Sequence, residues 1–349
     1  MSPASATATS LQPYSPPSPT KENLNWATLS ALDLSLVSQS GGKETLAKQV
    51  LSFINQHGFF YVTNHGLTPT QINRQYAIAK SFFSLPIEEK LKYSTGKLGV
   101  RDNDERYNIP KFTKEHERPH PQSVLDHYDE IKEFSLHIHY DILLPLLRLF
   151  AFVLQLDEET LVNLHRYEEP GLEYLRYMVY HPRSEKEDSE AGNLWAKGHT
   201  DYNTLTFLFH QPIAGLQVLS PDGEWRYVRS DPEKIVVNIA DALEYLSGGF
   251  LKSTVHRVVR PPVDQGDQDR FSLIYFARPE AKVLMRPLES PLIQRVGISL
   301  DKDYVKALEG VTAEEWARAR IAKDHRFRTG IVDSPEKEIV AGVPQKYYD

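Results

Sequence analysis

Three side chains in this sequence could share one metal ion. Gly198-His199-Thr200-Asp201 sets an imidazole and a carboxylate two residues apart, and on an extended strand such residues point the same way. His256, in Ser253-Thr254-Val255-His256-Arg257-Val258, follows 55 residues after Asp201 and can close the set from another strand. Two neutral imidazoles and one carboxylate on one face of a metal leave the opposite positions open, the arrangement of a non-haem Fe(II) centre. A lone His-x-Asp is common and usually structural, so its surroundings decide.

Arg270 and Ser272 are again two apart, on the next β-rich run. Arginine offers a planar fork to a carboxylate, and serine adds one hydrogen bond. The same face continues through Ile274 and Phe276, so the strand reads as an anchor at one end of an apolar cavity. Taken alone, Arg270 reads as a surface ion pair. His137 and His139, at i and i+2 on a helix, point to different faces and do not share a metal. Asn64 and His65 read as turn residues, Asp241 as a loop hydrogen-bonder and Lys197 as solvent-exposed. No His-Glu-x-x-His segment supports a zinc hydrolase.

The rest of the chain must position these residues. Its 349 residues suffice for one large domain or two ordinary ones, with a substantial core. Apolar and charged fractions of 40% and 25% are those of a globular protein. A net charge of −7 with no run of five like charges argues against a nucleic-acid partner. The absence of cysteine excludes disulfides, thiolate metal sites and a cysteine nucleophile. The most apolar run, 142–156, is interrupted by Pro145, Arg148 and Gln155 and is too short to span a bilayer. The N-terminus lacks the basic start and apolar core of a secretory signal. The expectation is a cytoplasmic protein acting on a small molecule.

Residues 1–22, rich in Ser, Thr, Ala and Pro, read as a disordered tail. Helices are expected over about 44–57 and 69–84, with a strand at 58–66 between them. Residues 95–123 read as a long loop, and 124–156 as a helix kinked at Pro145. From residue 173 short β-rich runs follow one another at near-regular spacing, as in a sandwich or barrel, and after 287 the chain turns helical again. The fold class is α+β with a mainly β core: one domain over 23–349, helical to 172, β over 173–287 and covered by helices over 288–349.

Several separated motifs resemble one family. They are Gly58-Phe59-Phe60-x-Val62-x-Asn64-His65-Gly66, Phe83-x-Leu85-Pro86-x-Glu88-Glu89-Lys90, Gly198-His199-Thr200-Asp201 with Leu205-Thr206, and Gly215-Leu216-Gln217-Val218. Val237-Asn238-Ile239-x-Asp241, Ser253-Thr254-x-His256-Arg257-Val258 and Arg270-x-Ser272 complete the series. In order and spacing, from about Ala31 to Pro287, the chain resembles the Fe(II)/2-oxoglutarate-dependent dioxygenases of the isopenicillin N synthase-like group. The resemblance implies a double-stranded β-helix, or jelly roll. It implies Fe(II) on His199, Asp201 and His256, with 2-oxoglutarate on Arg270, Ser272 and Tyr180. Met178 stands where the family commonly has Asn.

The implied reaction consumes O₂, releases succinate and CO₂, and oxidises a small, partly apolar metabolite by hydroxylation, desaturation or ring chemistry. Arg101, Tyr107, Ile274 and Phe276 are the candidate substrate residues, the first two on the 95–123 loop. Two alternatives stay open: an oxidase that needs no 2-oxoglutarate, and a non-catalytic binding protein on the same scaffold.

Overall fold

Alternation of apolar residues builds two sheets that face each other. In the computed structural model, which describes residues 11–54, 58–93 and 103–328, eleven strands form among the described residues. They are β1 (Ala31–Asp33), β2 (Phe59–Thr63), β3 (Asp104–Pro110), β4 (Tyr174–Tyr180), β5 (Leu194–His199), β6 (Leu205–Leu208), β7 (Leu216–Leu219), β8 (Trp225–Tyr227), β9 (Ile235–Ile239), β10 (His256–Val259) and β11 (Arg270–Ala277). The large sheet runs β1-β2-β9-β6-β11-β4-β3 and the small sheet β5-β10-β7-β8. This is the jelly-roll arrangement, with helices on the outside.

Each strand of the large sheet divides its residues between two cores. Phe60, Val62, Val237, Phe207, Leu273 and Tyr177 point outward into the helices, while Phe59, Tyr61 and Val236 point inward against Leu216, Val218 and Val228. A period of two produces that split, and a slip of one residue would exchange the faces. The site lies on the inner side.

The outer core is closed by α1 (Gly42–Phe53), α2 (Pro69–Phe83) and the helix Tyr128–Val153. Thr68 and Gln71 form a capping box that starts α2, with Pro69 in its first turn. The helix Tyr128–Val153 is long and apolar enough to cross a membrane. Here Ile131, Ile138, Ile142, Leu146 and Phe150 are fully buried inside the fold. Pro145 does not divide it, because Ile138–Leu143 widens into a π-turn immediately before the proline. A π-turn re-routes the hydrogen bond that proline cannot donate.

Two expectations fail on the N-terminal side. Residues 11–22 of the supposed tail lie against the body: Tyr14 stacks on Tyr76 at 4.9 Å and meets Phe271 edge-on at 6.1 Å. Thr20 Oγ1 and the Lys21 amide each donate to Asp264 at 2.7 Å. The Ser/Thr/Pro composition hid one aromatic anchor and a set of backbone contacts. The 95–123 loop likewise contains β3, which joins the edge of the large sheet beside β4. Its signal was the alternation of Arg106 and Asn108 with the apolar Tyr107 and Ile109.

His181 ties three strand ends together. Its ring nitrogens lie 2.9 Å from Asp269, just before β11, and 2.9 Å from Glu105 on β3. Hydrogen bonds to Asp269 and Glu105 push its pKa up to about 9. A raised folded-state pKa contributes stability that is complete below the unfolded value of about 6.5 and is lost as pH rises through about 9. Thermal melts should therefore show His181→Gln farthest below wild type near pH 6, with the gap closed by pH 10; a constant gap contradicts the linkage. Tyr14→Ala should lower the unfolding free energy by about 1–3 kcal/mol in urea titrations, and no change would mean that the segment does not hold to the body.

Candidate active site

Antiparallel pairing of β5 and β10 brings the two histidines together: His256 sits directly opposite His199, and their rings are 4.4 Å apart. β5 ends at His199, so Asp201 does not share its strand as the tripeptide suggested. It arrives from the turn that leads into β6. The three ligand atoms nevertheless lie within 4.8 Å of one another. His199 Nε2 is 3.9 Å from Asp201 Oδ1, and His256 Nε2 is 3.8 Å from Asp201 Oδ2.

Backbone carbonyls fix both imidazoles. His199 Nδ1 lies 2.8 Å from the Lys197 carbonyl, and His256 Nδ1 lies 3.2 Å from that of Thr254. A carbonyl only accepts, so Nδ1 carries the proton and Nε2 presents its lone pair to the shared space. Phe59 packs edge-on against His256 at 5.3 Å and holds that ring from behind.

Asp201 is held from the large sheet. Thr206 Oγ1 on β6 donates to its Oδ2 at 2.6 Å, and Asn238 Nδ2 on β9 donates to the same oxygen at 3.0 Å. Thr206 and Asn238 are register partners, so the sheet itself sets this clamp. Burial pushes the Asp201 carboxyl up, but the His256 and His199 imidazoles and these two hydrogen bonds together hold it below the usual carboxylate range. It is the anionic member of the set. Asp241 is no ligand: it accepts from Thr200 Oγ1 at 3.0 Å and from buried Arg320 on the C-terminal helix Ala313–Arg328 at 2.5 Å. The helical cover thereby grips the turn that carries Asp201.

Arg270 lies on the same inner face and is 3% exposed. Its Nη1 donates to Ser272 Oγ at 3.1 Å and its Nε to the Ile213 carbonyl at 3.2 Å. Among the described residues no carboxylate forms an ion pair with it. A buried guanidinium held only by neutral groups keeps its desolvation cost uncompensated until an anion arrives. Tyr180 is directly opposite on β4, its ring 5.8 Å from the guanidinium carbon. Gln265 braces this end: it accepts from the Ala214 amide at 2.9 Å and donates to the carbonyls of Pro212 at 3.0 Å and Ser18 at 2.8 Å. The ordered N-terminal segment thus supports the loop on which Arg270 rests.

Of the candidate substrate residues, Ile274 and Phe276 lie on the inner face, in line with Arg270 and Ser272. Tyr107 does not. It pairs with Tyr177 and points into the outer core, 4.2 Å from the Phe82 ring, with its hydroxyl 2.6 Å from His120 Nδ1. On a strand its neighbours Arg106 and Asn108 take the inner face instead. Arg101 lies outside the described residues. His139 is buried 3.5 Å from Glu173, whereas His137 meets the His65 carbonyl at 2.8 Å, so the two part company as expected. Lys197 is exposed.

Sequence reading gave no role to Thr206, Asn238, Gln265 or Arg320. Asn238 had a signal: it is the one polar residue within Ile235–Ile239.

The donor set, two bare imidazole nitrogens and an anionic carboxylate, fits a divalent iron with open positions. The unpaired Arg270 fits a dicarboxylate beside it. Two family models match the chain: the 2OG-Fe(II) oxygenase superfamily over residues 166–279, and the non-haem dioxygenase in morphine synthesis N-terminal region over 29–138. The 2-oxoglutarate-dependent dioxygenase frbH of Dothideomycetidae sp. is 30% identical, with 74% of this chain and 84% of that protein covered. The 2-oxoglutarate-dependent dioxygenase FG08081 of Gibberella zeae is 30% identical, with 67% and 75% covered.

This chain belongs to the 2OG-Fe(II) oxygenase superfamily. Solved structures agree on the fold. Neurospora crassa T7H in complex with alpha-KG is 24% identical, with a TM-score of 0.73 and coverage of 85% of this chain and 96% of that one. JOX2 in complex with 2OG, Fe and JA is 23% identical, with a TM-score of 0.63 and coverage of 78% and 81%. As a 2OG-Fe(II) oxygenase, the protein is an oxidoreductase that uses Fe(II), 2-oxoglutarate and O₂.

Asn238→Ala removes one of the two donors to Asp201 and should weaken metal binding by about 10–100-fold, read by Mn(II) titration followed by electron paramagnetic resonance. Binding within twofold of wild type would mean that the clamp does not orient the carboxylate.

Proposed function

We propose that the protein oxidises a small metabolite in the cytoplasm, as part of secondary metabolism, by hydroxylation, desaturation or ring formation. His199, Asp201 and His256 would hold Fe(II), and Arg270, Ser272 and Tyr180 would hold 2-oxoglutarate. One observation carries this reading: a preformed His-Asp-His cluster shares the inner face of one jelly roll with a buried arginine that has no acid partner among the described residues. Relatives named as 2-oxoglutarate-dependent dioxygenases, gloE of Glarea lozoyensis among them, support it. So does the occurrence of T7H with thymine and of JOX2 with JA, both small molecules.

Iron with 2-oxoglutarate and O₂ supplies the oxidising power, and the co-substrate leaves as succinate and CO₂. The chain's own residues do the positioning. Arg270 neutralises the carboxylate of 2-oxoglutarate farther from the metal, and Ser272 fixes its angle. Thr206 and Asn238 keep the Asp201 carboxylate in one orientation, and the two carbonyl-bound imidazoles keep their lone pairs inward. Ile274, Phe276 and Tyr174 on the inner face exclude water and shape the space for the substrate.

Succinate release from the aerobic enzyme with a metabolite extract tests this directly. It should require both Fe(II) and 2-oxoglutarate, fall at least a hundredfold in Asp201→Ala, and need at least tenfold more 2-oxoglutarate in Arg270→Ala. Oxidation of an extract component with 2-oxoglutarate omitted would instead assign Arg270 to the substrate's own carboxylate. No Fe(II)-dependent turnover of any kind would leave a binding protein.

A further inference from the structure

We propose that Arg176 anchors the substrate, and that the substrate carries a carboxylate on a compact, flat, unsaturated body. This rests on the oxygenase reading above and adds the chemical class that the pocket selects.

The register of the large sheet places Arg176 in the substrate half of the inner face. One cross-strand row runs Thr206, Phe276, Tyr174; the next runs Leu208, Ile274, Arg176, Asn108. Thr206 holds Asp201. With strands roughly 4.8 Å apart and a two-residue step of about 6.8 Å, the backbone of Arg176 lies about 12 Å from that of Thr206. A small molecule can therefore touch both the guanidinium and the metal side of the cluster.

The guanidinium is oriented but not neutralised. Its Nε donates to Asn108 Oδ1 at 2.8 Å and its Nη2 to Tyr174 Oη at 3.0 Å. The rings of Phe276 and Tyr174 lie 5.0 and 5.2 Å from its central carbon. All three partners, Asn108, Tyr174 and Phe276, are uncharged, and among the described residues no carboxylate pairs with it. Arg106, on the same face of β3, provides the contrast, because it is ion-paired to Asp104. Arg278, buried at the end of β11, adds a second positive charge 4.9 Å from the Tyr174 ring.

Two neutral acceptors fix the plane of the Arg176 fork and leave Nη1 without a protein acceptor among the described residues. A fork held in that way matches a carboxylate in two-point contact. The flanking ring faces favour a flat, unsaturated body over a branched aliphatic one. A neutral substrate would leave the half-buried charge without a counter-ion. The anchor differs in position and task from Arg270, which lies two rows further along at the other end of β4 and β11.

The test uses the full chain loaded anaerobically with Fe(II) and 2-oxoglutarate. The probes are benzoate and cinnamate, each compared with its neutral amide, by calorimetry and by iron-induced broadening of the probe's proton signals. The carboxylates should bind and broaden, and the amides should bind at least tenfold more weakly. Arg176→Gln should erase the preference for the acid and weaken carboxylate binding at least tenfold, while Arg176→Lys keeps part of it. Both variants should retain the wild-type charge-transfer absorption of the Fe(II)–2-oxoglutarate complex, which shows that fold and co-substrate site are intact.

Equal affinity of acid and amide, unchanged binding in Arg176→Gln, or no carboxylate binding to the wild type overturns the proposal. Loss of the charge-transfer absorption in the wild type would instead overturn the co-substrate reading beneath it.

Discussion

A single, mostly buried carboxylate joins the two sheets of this protein. Asp201 reaches the small sheet through its approach to His199 and His256, and the large sheet through hydrogen bonds from Thr206 and Asn238. Taking a carboxylate out of water is costly unless donors and positive charge compensate it. The two side-chain donors, Thr206 and Asn238, provide part of that, and a divalent cation would provide the rest. The turn that presents Asp201 is gripped by Asp241 and Arg320, so the C-terminal helix is part of the same construction.

Arg270 poses the opposite electrostatic problem at the other end of the inner face. Among the described residues its buried charge has neutral hydrogen-bond partners only, and that asymmetry with Asp201 gives the cavity a direction. An anion is drawn to one end and a cation to the other, and a keto-dicarboxylate can serve both. The order imposed on residues 11–22 follows from the same end: Ser18 contacts Gln265, Gln265 braces 212–214, and Ile213 supports Arg270. A segment with almost no apolar content orders because its backbone and one tyrosine meet a loop that already has to be rigid.

Much of this was legible in the sequence because period-two alternation and separated motifs are local signals. Tyr174–Tyr180, Leu216–Leu219 and Ile235–Ile239 form strands within the β-rich region expected from residue 173 onward. Three things were not legible. Tyr107 looked like a loop residue aimed at substrate, but strand pairing decides its face, and a strand edge hidden in a polar segment leaves only a four-residue alternation to detect. The Asp201 turn looked like strand because residue types do not show where a ladder stops. The Arg320–Asp241 contact spans 79 residues, and no local pattern encodes a pairing of that range.

In the proposed reading, His199 and His256 on the small sheet and the Asp201 turn hold the metal, whereas Arg270 and Arg176 lie apart along the facing surface of the large sheet. His199, Asp201, His256, Arg270 and Ser272 fall within the motifs that resemble the family, and Arg176 lies outside those motifs. Anaerobic titration of the Fe(II)-loaded protein with 2-oxoglutarate, followed by visible charge-transfer absorption, tests the central claim most directly. The absorption should saturate at one equivalent in the wild type, vanish in Asp201→Ala, and require at least tenfold more 2-oxoglutarate in Arg270→Ala. No absorption in the wild type, or equal 2-oxoglutarate affinity in Arg270→Ala, would contradict the assignment of the two ends of the cavity.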